Sequence, residues 1–81
     1  MADETAMGEK EVFSFQRTKR EQVRALVYNY KGNRYADLRV YWLDEEAGEY
    51  KPSKKGAVVR VDQLPALAQA VQAMRQVAQE G

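Results

Sequence analysis

Cysteine and histidine are both missing from the 81 residues of this chain. Without cysteine no disulfide can form, and without either residue there is no thiolate or imidazole to hold zinc. The same absences remove Ser–His and Cys–His nucleophile pairs and the imidazole general base. Glycine is sparse: Gly8, Gly32, Gly48, Gly56 and Gly81 stand singly, so there is no glycine-rich phosphate loop. Asp37 is the only acid between Gln22 and Leu43, and no paired carboxylate site suggests itself there. No apolar run approaches the roughly 20 residues of a membrane span. The opening Met1-Ala2-Asp3-Glu4 is acidic where a secretory signal is basic. These gaps predict a binding protein rather than an enzyme, with no cofactor, metal or membrane partner, in the cytoplasm or nucleoid.

Size adds a constraint. A domain of 9.3 kDa buries only about 60% of the surface its unfolded chain exposes. With disulfides and zinc excluded, association with a second copy is the remaining aid to stability, and a homodimer is expected.

The charge that is present is unevenly placed. The net charge is +1. Residues 1–11 carry Asp3, Glu4, Glu9 and Glu11 against Lys10, a net of −3. Residues 12–60 carry eleven bases against six acids, a net of +5, and residues 61–81 a net of −1. A basic centre between acidic ends fits an anionic partner, although Glu45, Glu46 and Glu49 interrupt it.

Residues 1–11 lack periodicity and read as a flexible acidic tail, leaving 12–79 as the domain. From Val12 the pattern alternates, with Phe13 and Phe15 on one side of a strand and Ser14 and Gln16 on the other. After a turn at Thr18–Glu21, a second strand runs from Gln22 to Tyr30. Its odd positions, Val23, Ala25 and Val27, are apolar, and its even positions are basic and aromatic. Lys31-Gly32-Asn33 signals a hairpin. A third strand from Arg34 to Leu43 sets Ala36, Leu38, Val40 and Trp42 against Tyr35, Asp37, Arg39 and Tyr41. Tyr50 to Gly56 reads as a basic loop, and Ala57 to Val61 as a short fourth strand. From Leu64 the period becomes helical, through Leu67, Ala68, Val71, Met74 and Ala78, with Asp62 as N-cap and Pro65 in the first turn.

The expected class is α+β, a four-stranded antiparallel sheet with one C-terminal helix covering one face. The open face would carry Arg24, Tyr28, Tyr30, Tyr35, Arg39 and Tyr41. Aromatics beside arginines suit a single-stranded nucleic acid, with π-faces for bases and cations for phosphates. The same tyrosines equally suit cross-strand pairs that stabilise the sheet.

Four segments in order then carry a resemblance: Tyr30-Lys31-Gly32, Ala36-Asp37-Leu38-Arg39, Tyr41-Trp42-Leu43-Asp44 and Lys51-Pro52-Ser53-Lys54-Lys55-Gly56. From about Phe13 through the helix the chain resembles the C-terminal domain of the transcriptional positive cofactor 4 family, single-stranded DNA-binding coactivators with short bacterial relatives. The resemblance implies a curved sheet, a homodimer, and binding of single-stranded or melted DNA with little sequence preference, in transcription or genome maintenance, with the transcription machinery as a further partner. It implies base contacts from Tyr30 and Trp42, and phosphate contacts from Lys51, Lys54 and Lys55, with Arg39 matching a family arginine. With Tyr28, Lys31 and Asn33 at positions where family members often have basic or turn residues, these nine form the expected DNA-binding set. Trp42 carries a conflict, since alternation assigns it to the core face with Leu38 and Val40. A bulge or strong twist near the strand's end would expose it. RNA, or an acidic peptide held by a protein-interaction adaptor, are the alternative ligands for the same face.

Overall fold

A computed structural model describes residues 9–80. Four strands, β1 (Lys10–Thr18), β2 (Glu21–Tyr30), β3 (Asn33–Asp44) and β4 (Glu49–Arg60), form one curved antiparallel sheet in the order β1-β2-β3-β4. A 3₁₀ turn, Val61–Gln63, leads into the single helix α1 (Leu64–Glu80). The β-β-β-β-α order and the antiparallel sheet are those expected from the sequence. Lys10 and Glu11, read there as tail, belong to β1; residues 1–8 lie outside the described residues. No helix among the described residues is long and apolar enough to cross a membrane.

The β2–β3 connection is a two-residue hairpin. Tyr30 pairs with Asn33, and Lys31 and Gly32 take φ of 53° and 85°. Positive φ at both central positions matches the right-handed twist of the flanking strands, and Gly32 adopts it without a Cβ penalty.

The segment read as a basic loop is part of β4. Tyr41 pairs with Pro52 and Arg39 with Gly56, so Ser53, Lys54 and Lys55 together oppose Val40. This is an enlarged β-bulge. Pro52 has no N–H to give the ladder at its start. Inside it, the Ser53 hydroxyl donates to the Val40 carbonyl at 2.7 Å and accepts from the Lys55 N–H at 3.0 Å. Gly56 closes it by close approach, because a Cβ there would run into the Leu38 carbonyl oxygen and lie 2.9 Å from Arg39 Cα. Loop-like composition thus marks the bulge, and pairing resumes on both sides.

The helix start also differs from expectation. Asp62 sits inside the 3₁₀ turn and does not act as N-cap; the Gln63 side chain instead accepts from the Arg60 N–H at 3.1 Å. Nor does the helix cover the apolar face of the sheet. Its first two turns meet it, where Leu64 and Leu67 line a space of about 180 Å³ with Val12, Ala25, Val27, Ala36 and Leu38. Farther along, Val71, Met74 and Val77 are exposed, Val77 at 67%, as are Phe13 at 66% and Phe15 on β1.

The best-buried pair instead lies on the opposite face: Leu26, 8% exposed, faces Asp37, 9% exposed, across β2 and β3. Elsewhere on that face, expected to lie open, Arg24, Tyr28, Tyr35, Arg39 and Tyr41 are half-buried and Tyr30 is exposed. The radius of gyration is 14.7 Å, against about 12 Å for a self-contained chain of this length.

Gly56→Ala is expected to destabilise the protein by about 1–3 kcal/mol, the usual cost of forcing atoms into a packed site. Thermal unfolding should show a clear loss of Tm; an unchanged Tm would mean that the strands separate there without cost.

Candidate nucleic-acid interface

Strand parity and register decide which side chains share a surface. Pairing between β2 and β3 is unbroken from Glu21–Trp42 to Tyr30–Asn33. Arg24, Leu26, Tyr28 and Tyr30 of β2 therefore share one face with Tyr35, Asp37, Arg39 and Tyr41 of β3. On β4 that face receives Tyr50, Pro52, Gly56 and Arg60. It is the face anticipated from the alternation.

Asp37 organises its centre. The carboxylate accepts from Arg39 Nε at 3.1 Å and Nη2 at 3.2 Å, and from the Tyr28 hydroxyl at 3.4 Å. Arg39 Nη1 donates to the Ser53 carbonyl at 3.2 Å, which ties this centre to the bulge. The guanidinium is held along both edges and keeps N–H groups on its outer end for an incoming anion. Tyr28 packs against Tyr35 with ring centroids 5.9 Å apart. Burial pushes the Tyr28 phenol above its usual value, and the facing Asp37 carboxylate adds to this. Arg24 lies over the Tyr41 ring at 4.4 Å and the Tyr50 ring at 5.6 Å, with Glu11 3.7 Å away. Burial also raises Tyr41, against the pull of the Arg24 charge.

Beside this layer a depression of about 290 Å³ is lined by Glu9, Tyr28, Asn29, Tyr30, Asp37, Arg39, Tyr41 and Pro52. Tyr30 is the available ring, 54% exposed, with Lys31 Nζ 5.4 Å from its centroid. Tyr28 is largely committed to Tyr35 and Asp37, the cross-strand arrangement, whereas the Tyr30 ring is left exposed. Lys54 and Lys55 leave the sheet at the bulge, exposed, with no carboxylate within ion-pair distance among the described residues. Asn33 accepts from Arg60 Nη2 at 3.4 Å. Among the described residues no group of acids gathers as a metal-ligand set.

Two of the nine expected residues stand apart. Trp42 pairs with Glu21 and Lys51, on the face of Val23 and Val40 and away from Arg39. The bulge displaces β4 without shifting parity between β2 and β3, so it does not turn Trp42 over. Trp42 is nevertheless 43% exposed, because α1 does not reach that end of the sheet. Lys51 lies beside it, and its Nζ is 2.7 Å from Asp44 Oδ2. The sequence reading missed Asp37 and Ser53 as anchors of Arg39. The Asp-x-Arg spacing held the first clue, since residues i and i+2 of a strand share a face.

The Lys51–Asp44 pair makes a prediction. The hydrogen bond from Lys51, helped by the Ala47 and Glu46 N–H groups, holds the Asp44 carboxyl below 3.8, and Lys51 is raised above 10.5 in return. The pair's contribution is present from above pH 3.8 to below pH 10.5. It is lost as pH falls through the lowered Asp44 value, or rises through the raised Lys51 value. A carboxyl NMR titration should find Asp44 below its usual value and moving upward in Lys51→Gln; no movement would dissociate Lys51 from the shift.

Residues 17–70, more than half of the chain, match the profile of the family described as Transcriptional Coactivator p15 (PC4). No curated protein sequence matches the chain. Among solved structures, a PC4 homologue from Burkholderia pseudomallei is 27% identical, with a TM-score of 0.72 over 91% of this chain and 95% of its own. A bacteriophage T5 homologue of the eukaryotic coactivator PC4, implicated in recombination-dependent DNA replication, is 28% identical, with a TM-score of 0.61 over 89% of this chain and 78% of its own. Family match, strand order and terminal helix agree: the chain belongs to the transcriptional coactivator p15 (PC4) family.

Proposed function

We propose that this protein binds single-stranded DNA as a homodimer, without catalysis and with little sequence preference, in transcription regulation or genome maintenance. The observation that carries the reading is the bulge: Lys54 and Lys55 are exposed there without carboxylate partners among the described residues, beside an Arg39 anchored to Asp37 and Ser53. Phosphates are captured there, while Tyr30 offers a ring to a base. The half-buried tyrosines and Arg24 form the floor. Trp42 and Lys51 contribute at the rim, on the other face. The match to a family described as a transcriptional coactivator, and the likeness to a phage homologue implicated in recombination-dependent DNA replication, support the same ligand class.

The exposed apolar surface supports the dimer. Phe13, Phe15, Val71, Met74 and Val77 are all exposed, and Leu26 is the one buried hydrophobic residue among those described. A second copy over this surface supplies the core that one chain lacks. Light scattering should give twice the 9.3 kDa of one chain; a stable monomer at micromolar concentration would overturn the dimer.

Binding to single-stranded DNA should weaken with salt at a log–log slope of about −0.7 per phosphate contacted. Replacing Lys54 and Lys55 together by glutamine should reduce the slope by about 1.4, and Tyr30→Ala should cost about 1–3 kcal/mol. Salt-insensitive binding, or no preference for single strands over duplex, would overturn the reading. A clear preference for RNA of the same sequence would reassign the ligand, and indifference to all oligonucleotides would favour a protein partner.

A further inference from the structure

Cations without a carboxylate partner fall at distinct places on the described structure. Arg17, Arg20, Arg24, Arg39 and Lys51 are in ion pairs. Lys54 and Lys55 form the bulge cluster already discussed. Lys10, Lys19 and Arg75 are scattered over β1, the β1–β2 turn and the helix. The others, Lys31, Arg34 and Arg60, gather at the far end of the sheet, around the β2–β3 hairpin and the last residue of β4.

Arg60 pairs with Tyr35, so it shares the face of Arg39 and Tyr30. Its Nη2 reaches the Asn33 side chain at 3.4 Å, and its backbone N–H is held by Gln63. This fixes both ends of the residue, and the neutral Asn33 leaves its charge uncompensated. Arg34 takes the opposite parity, yet lines the same depression of about 230 Å³ with Asn33, Arg60, Val61 and Asp62. Asp62 is the one acid in that lining and makes no ion pair among the described residues. Lys31 leans over Tyr30 on the adjoining turn.

We propose that Arg60 and Arg34 form a second phosphate-binding site, which engages the backbone of the same single strand beyond Tyr30. The proposal rests on the single-strand reading above and extends its site to residues outside the expected set. Asn33 acts there by positioning Arg60. The separation gives the site a length requirement. Seven residues along β3, from Val40 at the bulge to Asn33, span roughly 23 Å at about 3.3 Å each. At about 3.4 Å per nucleotide of a stacked strand this is about seven nucleotides. A short strand fills one cluster, and a longer one joins both.

Oligothymidylates of about 4 and about 16 nucleotides, near the ends of the known range of single-strand site sizes, provide the test. In a salt titration, Arg60→Gln and Arg34→Gln, made separately so that a folding defect in one leaves the other readable, should each lower the slope for the long strand by about 0.7. The slope for the short strand bound at the bulge should be unchanged, and Arg75→Gln should alter neither. Equal slopes for the long strand in wild type and both variants would overturn this site while leaving the bulge site standing. An equal loss with Arg75→Gln would also overturn it, by reducing the effect to net charge. A wild-type protein that binds neither strand would overturn the parent reading and this site with it.

Discussion

The buried carboxylate of Asp37 is the point on which the arrangement turns. Its position opposite Leu26 leaves it 9% exposed, and a carboxylate so enclosed is tolerable only with strong partners. Arg39 supplies two N–H groups and Tyr28 a hydroxyl. Arg39 is thereby fixed with a third N–H on the Ser53 carbonyl, and Ser53 in turn closes the gap that the bulge leaves at Val40. One chain of hydrogen bonds runs from the middle of β2 to the edge strand. It links the most buried part of the sheet to the bulge that carries the exposed Lys54 and Lys55.

The bulge resolves a competition between two demands on β4. The strand must pair with β3 along its length, because β3 is otherwise left with an open ladder. It must also present cations away from the carboxylates that the sheet gathers. Pro52 withholds a donor, Ser53 replaces backbone pairing with its hydroxyl, and Gly56 lets the backbones close again. Lys51, one residue before Pro52, shows the contrast. Still within the regular ladder, it is taken up by Asp44 at 2.7 Å.

The alternating runs of β2 and β3 and the Lys31-Gly32 turn were legible in the sequence because each rests on local rules: side-chain period, and tolerance of positive φ. The β4 bulge was not, since Pro, Ser and Gly in a row read as loop when pairing partners are unseen. Exposure was legible only in part. Hydrophobicity correctly separated Val23, Val40 and Trp42 from Arg24, Arg39 and Tyr41, but it gave no measure of how far α1 would reach. The two buried residues among those described, Leu26 and Asp37, lie on the polar face, while Phe13 and Phe15 are left exposed.

That inversion ties assembly to binding. A sheet with an apolar face and one short reach of helix over it cannot be complete as one chain, and a second copy over Phe13, Phe15 and Val77 would cover the exposed surface. In the proposed dimer, association through that face would leave the tyrosine–arginine face turned outward, so that pairing would not compete with the proposed ligand. Trp42 lies where the two surfaces meet, on the apolar side by register but beyond the reach of α1. In the proposed dimer the geometry of association would decide the use of its ring: a partner that stops short of the β3–β4 end would leave Trp42 beside Lys51 at the rim of the proposed binding surface, and one that extends over it would make Trp42 part of a shared core.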